Sequence, residues 1–188
     1  MFASDKIAAA VNELEALRKE RTDHWQIPRA EGELLHHLAI ASRAKLIVEV
    51  GTSYGFSGLF WGDAARRTGG HVHTIDKDPR KVELSRATFV SAGLGTVITN
   101  HLGDAADIIP MLPSQIDIAF IDADKPATER YVELLWPKLR TGGMLLIDNA
   151  STHRTELAGI VGKLRSRSDA TSCEVAIGNG VEWTIKLK

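Results

Sequence analysis

The chain predicts an α/β fold: a doubly wound, seven-stranded, mostly parallel sheet with helices on both faces and a C-terminal antiparallel hairpin. Three observations carry this. From residue 46 onward, short β-branched and aliphatic runs alternate five times with segments of helical period. The first run stops at a glycine-rich turn, Gly51-Thr52-Ser53-Tyr54-Gly55-Phe56-Ser57-Gly58. The last two strand-like runs are separated by Gly178-Asn179-Gly180, a strong hairpin pattern.

Each element follows in order. Residues 4–20 read as an amphipathic helix, with Ile7, Val11, Leu14 and Leu17 at helical spacing and Ser4 or Asp5 as its cap. That stripe must bury against its own domain or against a second subunit. Pro28 breaks the chain, and 31–43 is a second helix carrying Leu34, Leu35, Leu38 and Ile40. His36 and His37 point to different sides of it and have no ligand partner four residues on. Strand and helix then pair at 46–50 and 57–67, 71–75 and 79–91, 96–101 and 104–109, 117–121 and 127–138, and 143–147 and 155–166. Strands 173–177 and 181–187 close the chain. No linker or repeat interrupts it, so 1–188 is expected to be one domain, with 1–27 a helical segment and 28–188 the core.

Composition excludes several classes. The formal net charge is -1, which carries no global polyanion pattern. Arg18-Lys19-Glu20-Arg21 and Arg165-Ser166-Arg167 are short basic runs that read as solvated helix faces, so no nucleic-acid partner is expected. No apolar run reaches the roughly 18 residues of a membrane span, and no membrane partner is expected. The single cysteine, Cys173, cannot form an internal disulfide, which fits a reducing cytoplasm. Its apolar-alternating surroundings suggest a core position.

In a doubly wound sheet the functional edge is the carboxyl end of the strands. The glycines after strand 46–50 let a ligand approach the backbone. Ser53 stands where a dinucleotide fingerprint has its second glycine. With hydroxyls at Thr52, Ser53 and Ser57 and a carboxylate at Glu49, the turn suits a ligand with an amino-acid end better than a pyrophosphate. Asp76 ends the second strand, well placed for both hydroxyls of a ribose, whereas Asp78 precedes Pro79 and reads as a helix cap. Asp104, after the third strand, can cap the next helix, accept from an adenine amino group, or both. Strand four ends in Asp122-Ala123-Asp124-Lys125 and strand five in Asp148-Asn149. Asp122, Asp148 and Asn149 offer oxygen ligands without Cys or His, which suits a hard cation such as Mg²⁺, Ca²⁺ or Mn²⁺. Plain capping of the following helices is the alternative. Asp117 starts its strand at the opposite edge and is excluded.

Val-Glu-Val-Gly-Thr-Ser-Tyr-Gly-Phe-Ser, Thr-Ile-Asp, Gly-Asp-Ala, Phe-Ile-Asp-Ala-Asp-Lys and Asp-Asn occur here in one order. In that order the chain resembles the cation-dependent, class I S-adenosylmethionine-dependent O-methyltransferases of the catechol and caffeoyl-CoA type, from about Pro28 to the C-terminus. The resemblance implies a Rossmann-like fold. It implies that Glu49, Gly51, Ser53, Tyr54, Gly55 and Ser57 surround the methionine end of S-adenosylmethionine. It places Asp76 on the ribose, Asp104 and Ala105 on the adenine, and Asp122, also near the cofactor, with Asp148 and Asn149 on a divalent metal. Lys125 is implied as the general base and a homodimer as the assembly. The acceptor would be a small hydroxylated molecule, a catechol-like vicinal diol.

Two departures bear on that acceptor. The loop after Asp148-Asn149 is short, and the N-terminal region is short. A low pocket wall is expected there, with His153, Arg154, Trp25, Ile27 and Trp183 as what remains nearby. Two other readings compete. A methyltransferase acting on nitrogen or nucleic acid would often place Asn/Asp-Pro-Pro-aromatic after strand four, where this chain has Asp122-Ala123-Asp124-Lys125. A non-catalytic cofactor-binding protein would have no use for the metal set and its lysine.

Overall fold

The computed structural model describes residues 2–20, 23 and 25–188. Arg21, in the first basic run, lies outside the described residues. Seven strands form one sheet: β1 (Leu46–Val50), β2 (His71–Asp76), β3 (Ile98–Leu102), β4 (Ile116–Ile121), β5 (Leu139–Asp148), β6 (Ala170–Val175) and β7 (Val181–Lys186). Their spatial order is β3-β2-β1-β4-β5-β7-β6. The first five pair in parallel, and β7 runs antiparallel between β5 and β6. The helices are α1 (Asp5–Glu20), α2 (Arg29–Ala41), α3 (Phe56–Thr68), α4 (Pro79–Ser91), α5 (Ala105–Ile108), α6 (Thr128–Leu135) and α7 (Arg154–Arg165).

The unbroken apolar strands are explained by burial on both faces. Successive side chains point to opposite sides of a sheet. Ile47, Ile118, Phe120, Met144 and Leu146 pack with α1, α2 and α3. Their neighbours Val48, Val50, Ala119, Ile121, Leu145 and Ile147 pack with α5, α6 and α7 on the other side. A parallel strand covered on both faces needs apolar residues at every position.

Some boundaries differ from expectation. The helix expected at 127–138 is α6 flanked by 3₁₀ turns at Lys125–Ala127 and Trp136–Lys138. Pro126 and Pro137 open those turns, and a proline lacks the N–H that a longer α-helical ladder needs. β6 begins at Ala170 rather than 173 because its register is set by pairing with β7, Ala170 against Lys186 through Val175 against Val181. Cys173 is exposed, not core, because β6 is the outermost strand. No described helix is long and apolar enough to cross a membrane.

The stripe of α1 buries against its own domain: Ile7, Val11 and Leu14 join the core, and Leu17 packs against it. A homodimer would therefore have to use another surface. The chain before α1 is anchored as well. Phe2 packs edge-on against Phe60, with ring centroids 5.2 Å apart. Asp63 of α3 is fully buried, and it accepts from Ala3 N–H at 2.9 Å and Arg67 Nε at 2.9 Å and lies 2.8 Å from His36 Nε2.

Burial alone would raise the Asp63 carboxyl, but the hydrogen bonds from His36, Ala3 and Arg67 outweigh it and hold it down to about 2. A depressed acid stabilises the fold above its unfolded value and loses that contribution as pH falls through the folded one. The contribution of Asp63 should therefore fade between about pH 4 and pH 2. Asp63→Asn should cost about 2–4 kcal/mol at neutral pH by denaturant titration, and much less at pH 2.

Candidate active site

The winding direction of the sheet reverses between β1 and β4: β2 and β3 follow on one side of β1, β5 on the far side of β4. The connections leaving these two strand ends part in opposite directions and open a crevice there. A cavity of about 850 Å³ fills it.

The glycine turn fits this place for steric reasons. Gly51 has φ +103°, and a Cβ there would come within 1.9 Å of the Asp122 carbonyl oxygen. The ends of β1 and β4 are that close because Asp122 N–H donates to Val50 C=O at 2.9 Å. Gly55, at φ +92°, is the N-cap of α3. Ser53 takes φ +46° without being glycine, a conformation that needs support. The support is Asp76, whose Oδ2 accepts from Ser53 N–H at 2.8 Å while Oδ1 accepts from Asp78 N–H at 2.9 Å.

Of the residues expected around a cofactor, Gly51, Ser53, Ser57, Asp76, Asp104, Ala105 and Asp122 line the cavity. Asp104 also caps α5, accepting from Ala106 N–H at 2.8 Å. Asp78 caps α4 as expected, accepting from Arg80 and Lys81 N–H. Glu49, Tyr54 and Gly55 stand behind that lining. Glu49 is fully buried and accepts from Thr74 Oγ1 at 2.6 Å, and Thr74 in turn meets the Thr52 hydroxyl at 2.5 Å. Burial pushes the Glu49 carboxyl up to about 7 against the pull of hydrogen bonds from Ser57, Thr74 and Trp61. It braces the turn from below. The Tyr54 hydroxyl donates to Asp23 at 2.7 Å, which ties the turn to the segment before α2.

Asp122, Lys125, Asp148 and Asn149, at and after the ends of β4 and β5, line the same cavity. Lys125 Nζ lies 3.6 Å from Asp122 Oδ1. Asp148 is 1% exposed, and its Oδ1 has no hydrogen-bond partner. Asn149 adopts φ +68°. Burial, and then the charge of Asp148, push Asp122 up to about 7 although Lys125 opposes this.

Sequence reasoning missed one residue here. Glu31, in the first turn of α2, is fully buried beside Asp148, and its Oε1 has no hydrogen-bond partner. Burial, reinforced by Asp148, pushes its carboxyl up to about 9. Its Oε2 receives Asn179 N–H at 3.5 Å, and a Cβ on Gly178 would meet that oxygen at 2.3 Å. An acid in a first helical turn reads as ordinary dipole chemistry. The missed clue was spacing: Glu31 falls on the face of Leu35 and Ala39, which is the buried one.

Glu31, Asp122 and Asp148 bring three carboxylates and one lysine into a poorly solvated corner. Hard oxygen donors left without partners suit a divalent cation chemically. Among the described residues, no three His, Cys, Asp or Glu side chains are gathered closely enough to hold a metal ion as they stand.

The short segment after β5 is held in place. The short segment after Asn149 is tied to the β6–β7 turn, Ala150 N–H to Gly180 C=O at 2.8 Å and Ser151 N–H to Asn179 C=O at 3.0 Å. Trp25, Ile27, His153 and Asn179 line the cavity. Arg154 instead pairs with Glu174, and Trp183 lines a small separate groove with Cys173 and Ile185.

The fold and this strand-end cavity define a doubly wound α/β protein built to bind a nucleoside-like ligand at its switch point. The family described as "Methyltransferase domain" matches residues 48–150. A protein of Mycobacterium sp. (strain KMS) that carries an O-methyltransferase name is 34% identical over 163 residues, covering 86% of this chain and 70% of that protein. Among solved structures, the O-methyltransferase TomG of Streptomyces achromogenes superposes with a TM-score of 0.84 at 24% identity, over 98% of this chain and 91% of that one. The Podospora anserina methyltransferase PaMTH1 gives a TM-score of 0.88 at 20% identity, over 100% and 90%. The chain belongs to the O-methyltransferase family within this methyltransferase domain.

Two variants probe the geometry. Gly51→Ala combines a left-handed φ with a backbone clash, so its stability should fall by about 2 kcal/mol or more in a urea titration. Glu31→Gln tests the crowded acids. A carboxyl raised in the folded state stabilises below its unfolded value and loses that contribution as pH rises through the folded one. In EDTA, Glu31→Gln should therefore match the parent near pH 4 and exceed it at pH 8 by about 1–3 kcal/mol. Equal stability at both pH values would mean that Glu31 is not crowded.

Proposed function

We propose that this chain transfers the methyl group of S-adenosylmethionine to a hydroxyl of a small, catechol-like vicinal diol, with a divalent cation at Asp122, Asp148 and Asn149. The observation that carries the reading is one cavity lined both by the glycine turn and Asp76 and by Asp122, Lys125, Asp148 and Asn149. TomG was solved with S-adenosylmethionine and PaMTH1 with S-adenosylhomocysteine, which supports the cofactor assignment.

Asp76 would accept from the ribose hydroxyls, Asp104 and Ala105 would face the adenine, and Ser53 and Ser57 the methionine end. When bound, the cofactor supplies an electrophilic sulfonium methyl and the cation lowers the pKa of a bound hydroxyl. The residues of the chain do the rest. Lys125, whose Nζ lies 3.6 Å from Asp122, would be the group that takes the hydroxyl proton. The backbone of the glycine turn would hold the cofactor and the side chains after β4 and β5 the acceptor, which is what an in-line transfer requires. Ile27, buried, and Trp25, exposed, would give the acceptor an apolar wall.

Turnover of labelled S-adenosylmethionine should be measured against a panel of catechols and simple alcohols. Chelation with EDTA should abolish it and Mg²⁺ should restore it; a rate indifferent to chelation overturns the cation. Lys125→Met should lower turnover by roughly 10²–10⁴ while cofactor binding persists. Asp76→Ala should weaken S-adenosylhomocysteine binding by about 2–3 kcal/mol in calorimetry. Tight NAD binding with no response to S-adenosylhomocysteine would sink the cofactor assignment.

A further inference from the structure

Away from the cavity, β2 and β3 present three histidines on one face of the sheet. His71 and His73 are two residues apart on β2, so their side chains leave the same side. His101 on β3 stands opposite Ile75, which shares that face. His73 Nδ1 lies 3.0 Å from His101 Nε2, and the two rings are tilted by only 31°. The His71 ring centroid is 5.1 Å from that of His73, and its Nε2 meets Thr99 Oγ1 at 2.8 Å. Among the described residues, no carboxylate pairs with any of the three. Burial, and then the neighbouring imidazoles, hold His73 down to about 4, and the same causes lower His101. At neutral pH both rings are uncharged and keep a lone pair.

We propose that His73 and His101 form a two-imidazole binding site for a borderline-soft divalent ion, Zn²⁺, Ni²⁺ or Cu²⁺, with water completing its coordination. With metal–nitrogen bonds of about 2.0–2.1 Å, two imidazole nitrogens on one ion stand about 2.9 Å apart at a right angle and about 3.4 Å apart in a tetrahedron. The observed 3.0 Å falls within that range, and with the ring centroids 5.2 Å apart the two nitrogens face each other as in a hydrogen bond, so the rings must swing for both lone pairs to meet one ion. The hydrogen-bonded pair holds one proton between the two nitrogens. Ligation needs both lone pairs, so the donor ring moves its proton to its other nitrogen; both rings stay neutral and no proton is lost.

Imidazole donors select transition ions, which separates this site from the oxygen donors of the cavity. The site also has a mechanical consequence. β3 is an edge strand held by β2 alone, and it runs into Gly103, Asp104 and Ala105 at the cavity. An ion bridging His73 and His101 would fasten that edge.

The test is calorimetric titration of Zn²⁺ into the full chain with excess Mg²⁺ present, comparing the parent with His73→Gln/His101→Gln. Micromolar binding by the parent, weakened at least about tenfold in the double variant, is expected. Equal Zn²⁺ affinity in both proteins overturns the site. Should the double variant fold poorly by circular dichroism, Cu²⁺ electron paramagnetic resonance of the parent decides. Coupling to at least two imidazole nitrogens is expected, and an oxygen-only spectrum overturns the proposal. Neither readout depends on methyl transfer, so failure here leaves the proposed activity untouched.

Discussion

The rest of the site depends on how closely β1 and β4 approach at their carboxyl ends. The Asp122 carbonyl occupies the space where a side chain on Gly51 would be, and Asp122 N–H is bonded to Val50 C=O. This contact places the glycine turn and the acidic end of β4 in one cavity. It also explains why position 51 has no side chain: the left-handed backbone and the neighbouring carbonyl both forbid one. Asp76 extends the same constraint by holding Ser53 in its strained conformation through the Ser53 N–H.

The second organising force is electrostatic. Glu31 and Asp148 are buried beside the partly exposed Asp122, and the carboxyls of Glu31 and Asp122 are raised by burial and by the charge of Asp148. Such crowding costs stability unless protons, a lysine or a cation relieve it. Lys125 answers part of it from 3.6 Å. A protein gains nothing structurally from two buried acids set against a third, which is why this corner reads as functional. Asp63 is the contrast: an equally buried acid that is fully partnered and held low.

The acceptor side shows how a short connection is compensated. Only a few residues separate Asn149 from α7, yet they are bonded to the turn between β6 and β7, and Asn179 from that turn joins the cavity wall. Glu31 reaches the same turn from α2. Three stretches distant in sequence thus share one wall, so substitutions in any of them should be felt by the others.

By itself the sequence determined the strand and helix alternation, the glycine turn, the closing hairpin and the acids at strand ends, because these follow from local periodicity and from residue types with narrow conformational roles. The motif residues from Gly51 to Asn149 could be read for the same reason: strand ends fall where apolar runs stop. Tertiary structure decided what depends on distant partners. It put Glu31 beside Asp148; helical spacing places Glu31 on the buried face of α2 but does not say which acid it meets. It turned Cys173 outward, because the hairpin's second strand, not its first, pairs with β5. It buried the α1 stripe in its own domain, and it brought His73 to His101 across two strands. Periodicity reveals which face of an element is apolar; what that face meets is settled only when the chain folds back on itself.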